Sequence, residues 1–219
     1  MELKNLKINL LGDSITEGVG TSSGEHRFGE LLAARYGAVV RNYGISGTRI
    51  ARQHKPTVYN PSFDQHYVSR VAGMEEDADV IVVFGGTNDF GHGDAPLGQM
   101  SDREDGTFYG ALHCLFIALI NKYPAAKIMM LTPMHRWNED DPRGDNKSTE
   151  VGTLETYVNI IREVAQYYSV PVLDLYAGSG ITPRVEILKQ RYMPDGLHPS
   201  DAGNERLCEL IANFIRYRL

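Results

Sequence analysis

Five apolar runs, Leu6–Leu11, Ala38–Asn42, Asp79–Phe84, Lys127–Thr132 and Val170–Leu175, punctuate this chain and are separated by helical patterns. No other feature narrows the fold as far. Val80-Ile81-Val82-Val83-Phe84 is apolar at every position, as suits a central parallel strand covered by helices on both faces. Between the runs, residues 26–36 read as a helix closed by Gly37, and 63–74 as a weaker one. Phe108, Leu112, Leu115 and Leu119 recur at a period near 3.6, and so do Leu154, Tyr157, Val158, Ile161, Ala165 and Tyr168. A last helix carries Leu207, Leu210, Ile211, Phe214 and Ile215. Residues 50–62, 90–106 and 135–149 read as loops, and the stretch after 175 as mixed. Strands alternating with helices imply right-handed crossovers. The expected fold is α/β: a three-layer α/β/α sandwich, flavodoxin-like, with a five-stranded, mainly parallel sheet.

With 219 residues, the chain is long enough for one well-buried core, and no repeat or linker divides it; residues 1–219 are expected to form a single domain. A net charge of -6 leaves no basic footprint for nucleic acid or an anionic membrane. Cys114 and Cys208 lie in helical segments among apolar neighbours, which favours buried free thiols over a bridge. No Cys/His cluster has zinc-type spacing, so no metal is expected. Met1–Leu6 lacks a signal peptide's apolar run and no window is apolar enough to span a bilayer. The expectation is a cytoplasmic chain without membrane insertion; a secreted form with its signal removed would read the same.

Polar motifs collect where the strands end. They are Gly12-Asp13-Ser14, Ile45-Ser46-Gly47, Gly86-Thr87-Asn88-Asp89 and, before the last helix, Asp195-Gly196-Leu197-His198-Pro199. In open α/β sheets the carboxyl edge is where ligands bind. Acyl transfer needs a nucleophile, a base, a group that orients the base and donors aimed at an oxyanion, and the motifs can supply all four. Ser14 would attack, His198 would shuttle the proton, and Asp195 would hold the imidazole in the right tautomer. The N–H groups of Ser14 and Gly47 and the amide of Asn88 would form the oxyanion hole. Asp13 and Asp89 read as loop-bonding residues, and Asp13 also lies within reach of a substrate. His92, His135, Arg136 and Trp137 fall in loops over the same edge and are further candidate substrate contacts.

Taken together and in this order, these motifs resemble those of the SGNH (GDSL-type) ester hydrolases, over nearly the whole chain. The resemblance implies a cofactor-free Ser/His/Asp hydrolase with an open site. Its second glycine falls on Gly47, with Gly44 in the same loop as the alternative. The expected activity is hydrolysis of a carboxylic ester through an acyl-serine intermediate. A mostly polar rim with one aromatic platform points to a small-molecule substrate with a short acyl group on a polar alcohol, such as an acetylated carbohydrate. The competing readings are a long-chain lysophospholipase or thioesterase and a non-catalytic ligand-binding module on the same fold. A nucleotide binder ranks below both, because the first strand leads into neither phosphate-cradling glycine pattern.

Overall fold

A computed structural model describes residues 1–58 and 60–219. Its sheet consists of β1 (Lys7–Gly12), β2 (Val39–Gly44), β3 (Val80–Phe84), β4 (Lys127–Leu131) and β5 (Val172–Leu173), in the order β2-β1-β3-β4-β5. All neighbouring strands are parallel, so the sheet is wholly rather than mainly parallel, and its order is the flavodoxin-like one. Among the described residues the connections carry α1 (Ser14–Glu17), α2 (Phe28–Tyr36), α3 (Tyr67–Val71), α4 (Thr87–His92), α5 (Phe108–Lys122), α6 (Leu154–Tyr167), α7 (Leu175–Gly178), α8 (Glu186–Tyr192) and α9 (Asp201–Arg218).

Side chains of a strand alternate between faces, and the two core layers obey that alternation. Val80, Val82 and Phe84 pack with Ile8, Leu10, Phe28, Leu32, Leu207 and Ile211 beneath α2 and α9. Ile81 and Val83 pack with Leu11, Leu112, Phe116, Tyr157 and Ile161 beneath α5 and α6. Every residue of β3 is buried, which explains why its run has no polar position. Helix α9 is started by Ser200, whose hydroxyl accepts from the Gly203 N–H at 3.3 Å. Asp201 in its first turn and Arg216 and Arg218 in its last complement the helix dipole.

Register decides where the polar motifs go. Gly12 pairs with Gly44 and with Phe84, Phe84 with Leu131, and Leu131 with Leu173. The strands therefore end level, and the segments leaving them all emerge at one edge. From β1 the chain runs outward to β2, then passes back over β1 to β3. The connections leaving β1 and β3 diverge, and a crevice opens at such a point.

Some elements differ from the expected ones for local reasons. The fifth strand is only Val172–Leu173, because Pro171 has no N–H to give and Asp174 caps α7, accepting from the Ala177 N–H at 3.1 Å. Phe90 to His92 belong to α4 rather than to a loop. Helix α8 lies within the mixed stretch; it buries none of its residues and so carries no apolar stripe that a sequence pattern could show. Residues 63–74 hold only a short α3, preceded by a tight turn at Pro61–Asp64. Both cysteines are unpaired; Cys208 is buried, whereas Cys114 is only half-buried. Among the described residues no helix is long and apolar enough to cross a membrane.

Candidate active site

Strand β1 ends in Gly12 because nothing larger fits: a Cβ there would lie 1.9 Å from the Thr16 hydroxyl. Asp13 then caps α1, its Oδ1 accepting from the Ile15 N–H at 3.0 Å, and Ser14 becomes the first helical residue. The first N–H groups of a helix have no partner within it. The Ser14 Oγ lies 3.0 Å from His198 Nε2, although 184 residues separate the two. His198 Nδ1 in turn lies 2.7 Å from Asp195 Oδ2. The other oxygen, Asp195 Oδ1, accepts from the N–H groups of Leu197 at 2.8 Å and His198 at 2.7 Å. Partial burial works against ionisation of Asp195, but those two N–H groups and the His198 ring outweigh it and hold the carboxyl below its ordinary range. Asp195 is thus an anion aimed at the His198 ring.

Gly47 sits at φ +73°, and a Cβ there would meet the Phe63 ring at 2.6 Å, so a side chain at this position would have to displace the loop. Its loop is tied down on every side. The Ser46 N–H donates to Glu17 Oε2 at 2.7 Å, the Ile45 N–H to the Gly12 carbonyl at 3.1 Å, and the Ile50 and Ala51 N–H groups to Asp89 at 3.0 and 2.9 Å. Among the described residues the Gly47 N–H has no protein acceptor, whereas the Gly44 N–H is already given to Asn42 Oδ1 at 2.8 Å. Asn88, buried on α4, donates through Nδ2 to the Thr48 carbonyl at 3.0 Å, which leaves its second amide hydrogen spare.

Burial raises the Asp13 carboxyl to about 7, against the Ile15 N–H and the Arg70 cation, which favour the anion. A carboxyl that holds its proton more tightly folded than unfolded destabilises the fold as pH rises from about 4, its unfolded pKa. That loss is complete once pH exceeds about 7. Asparagine would keep the acceptor for Ile15 without a charge to bury. Asp13→Asn is therefore expected to melt higher than wild type at pH 8, with the gain shrinking toward pH 4. A melting difference that stays constant between pH 4 and pH 8 would contradict this account.

The candidate substrate contacts divide. Asp13 is 1 % exposed and faces its own helix, so it is a cap and not a contact. Arg136 is also turned inward: it is 2 % exposed, gives Nη2 to both Asp145 oxygens at 2.7 Å and Nη1 to the Thr87 carbonyl at 3.1 Å. It fastens the 135–149 segment to α4. His135 is half-buried, its Nδ1 2.9 Å from Glu139 and its ring 4.2 Å from that of Tyr176. Its acidic partner lies four residues on along the chain. Trp137 stays 48 % exposed and lies against the Asp195–His198 turn, its backbone N–H donating to the Gly196 carbonyl at 2.8 Å. His92 borders a cleft of about 610 Å³, shared with His54, Asp94, Lys147 and Glu150. Burial lowers Lys147 to about 8, and its Nζ donates to the Asp89 carbonyl at 2.7 Å and to the Tyr157 hydroxyl at 3.0 Å.

Arg49, Arg70 and Lys147 carry no signal in the sequence. Arg70 donates to the carbonyls of Tyr43 at 2.9 Å and Gly12 at 3.0 Å, the latter two residues before Ser14. Each bonds groups far away along the chain, so no spacing marks them.

Comparison with known proteins bears on the fold and the family. One solved structure is 36% identical and superposes with a TM-score of 0.84, covering 99% of both chains. Another, from Lactobacillus plantarum, is 30% identical with a TM-score of 0.82, again over 99% of each. A carbohydrate acetylesterase from Sinorhizobium meliloti shares the fold at 17% identity and a TM-score of 0.69, covering 98% of this chain and 100% of its own. No curated protein matches the chain. Residues 10–206, which run from the first strand into the last helix, match one family throughout, and the chain belongs to the GDSL-like lipase/acylhydrolase family.

Proposed function

We propose that this protein hydrolyses a carboxylic ester through an acyl-Ser14 intermediate, with a short acyl group, acetyl, on a polar alcohol such as a carbohydrate. The observation that carries the reading is the continuous line from Ser14 Oγ through the His198 ring to Asp195, at 3.0 and 2.7 Å. Ser14 Oγ attacks the ester carbon while His198 Nε2 takes its proton. The imidazolium so formed is stabilised by Asp195 through Nδ1–H. The oxyanion of the tetrahedral intermediate accepts from the Ser14 and Gly47 N–H groups and from Asn88 Nδ2. Collapse breaks the bond to the alcohol, which leaves with the proton from His198. Water then attacks the acyl-serine, His198 accepting its proton, and a second collapse releases the acid and restores Ser14. Each oxyanion donor is worth about 3–4 kcal/mol of barrier.

The short-acyl, polar-alcohol part of the reading rests on the surroundings. The cleft beside His92 sets Lys147, His54, Asp94 and Glu150, groups that pair with hydroxyls, beside the apolar Leu97 and Val151. A carbohydrate acetylesterase is built on the same fold, and this chain is assigned a substrate of that kind. Aryl esters of graded length are the direct test, with acetylated sugars beside them. Aryl acetate should turn over at least about tenfold faster than the ten-carbon ester, a difference of about 1.4 kcal/mol in barrier. Equal or faster hydrolysis of the ten-carbon ester would reject the acetyl reading and point to a long-chain acylhydrolase.

A further inference from the structure

We infer that Arg49 and His92 are positioning residues that set the polarity of the oxyanion hole, fixing which end of the Asn88 amide faces the substrate. The inference rests on the proposed role of Asn88 as an oxyanion donor. A side-chain amide presents an oxygen and a nitrogen of nearly equal size, and only the nitrogen can stabilise an oxyanion. Something must hold the amide the right way round.

Arg49 is buried, and its guanidinium can only donate. Its Nη1 lies 3.1 Å from His92 Nδ1, so Nδ1 must be the bare, accepting nitrogen. The ring proton then sits on Nε2, which lies 3.2 Å from Asn88 Oδ1 and donates to it. On the other side Nδ2 donates to the Thr48 carbonyl at 3.0 Å, so His92 and Thr48 hold the two ends of the amide in the same sense. The same Nη1 donates to the Gly47 carbonyl at 3.3 Å, so one guanidinium braces two of the three proposed donors. Arg49 is itself held through Nη2, by the Thr57 hydroxyl at 3.1 Å and Asp64 at 3.4 Å.

Two further observations fit a positioning role better than a packing one. His92 is exposed where it lines the cleft, so the core does not require an imidazole there. Crowding by the cleft walls and the Arg49 cation both push the ring's pKa down, to about 4. The ring is therefore neutral near pH 7, with one donor and one acceptor nitrogen.

The test uses the whole protein, an aryl acetate as substrate and four variants. His92→Ala is expected to lower kcat by about 10–100-fold with KM within about twofold. His92→Gln, whose amide nitrogen takes the place of Nε2, should recover most of that loss. Asn88→Ala should cost about 10²–10³-fold, and adding His92→Ala to it should cost little more, because the ring acts through the amide. Nitrogen NMR of the wild type should find His92 protonated at Nε2 and bare at Nδ1. A His92→Ala enzyme with wild-type kcat overturns the inference. So does a double variant whose losses multiply, a glutamine variant no better than alanine, or a proton on Nδ1. An Asn88→Ala enzyme close to wild type would instead remove the oxyanion assignment on which the inference stands.

Discussion

Ser14→Ala is expected to lower kcat by about 10⁴–10⁶-fold while leaving the circular dichroism spectrum unchanged. The hydroxyl is the group aligned with His198 Nε2, and alanine supplies no atom that can form the acyl intermediate. Its loss is tolerable for folding, because alanine fits the start of a helix whose cap belongs to Asp13. His198→Ala should fall to a similar level. The double variant should fall no further, because nucleophile and base act as one unit. Stopped assays on aryl acetate would measure all three. A serine-directed organophosphonate should label the wild type once per chain and Ser14→Ala not at all. Activity near wild type in Ser14→Ala would mean that another residue attacks the ester.

Asp195→Asn is expected to cost about 10⁴-fold in kcat at neutral pH, with the fold intact. The reason lies in how the carboxylate is used. One oxygen already accepts from the Leu197 and His198 N–H groups. In the variant those donors claim the amide oxygen, which turns the amide nitrogen toward His198 Nδ1. That nitrogen must then accept, the ring proton moves to Nε2, and Nε2 can no longer take a proton from Ser14. A kcat within about tenfold of wild type would show that Asp195 contributes little beyond the turn it stabilises.

Much of this is open to reading along the chain. Burial on both faces of β3 leaves a run of five apolar residues, and a level parallel sheet delivers the loop after each strand to one edge. The positions of Ser14, Gly47 and Asn88 at that edge are consequences of those two facts. The Asp195–His198 bond is also legible, because both partners lie on one turn. Arg136 shows where such reading stops. A loop arginine after a strand looks like a substrate contact, yet Asp145 and the Thr87 carbonyl draw it inward. His135 reads as a substrate contact too, yet its Nδ1 is engaged by Glu139, four residues on. The choice between Gly44 and Gly47 also needs coordinates, since it turns on which N–H the Asn42 side chain takes.

The sequence alone determined the strand order's class, the family and the identity of the polar motifs, because alternation, strand-end glycines and short turns are written in neighbouring residues. The tertiary structure decided which polar groups are spent on holding the site and which are left free to act. Arg49 meets His92, and Asp89 meets Ile50 and Ala51, across about forty residues of chain. Hydrogen-bond partners chosen over that distance depend on how the loops cross, and that crossing leaves no period or spacing in the sequence.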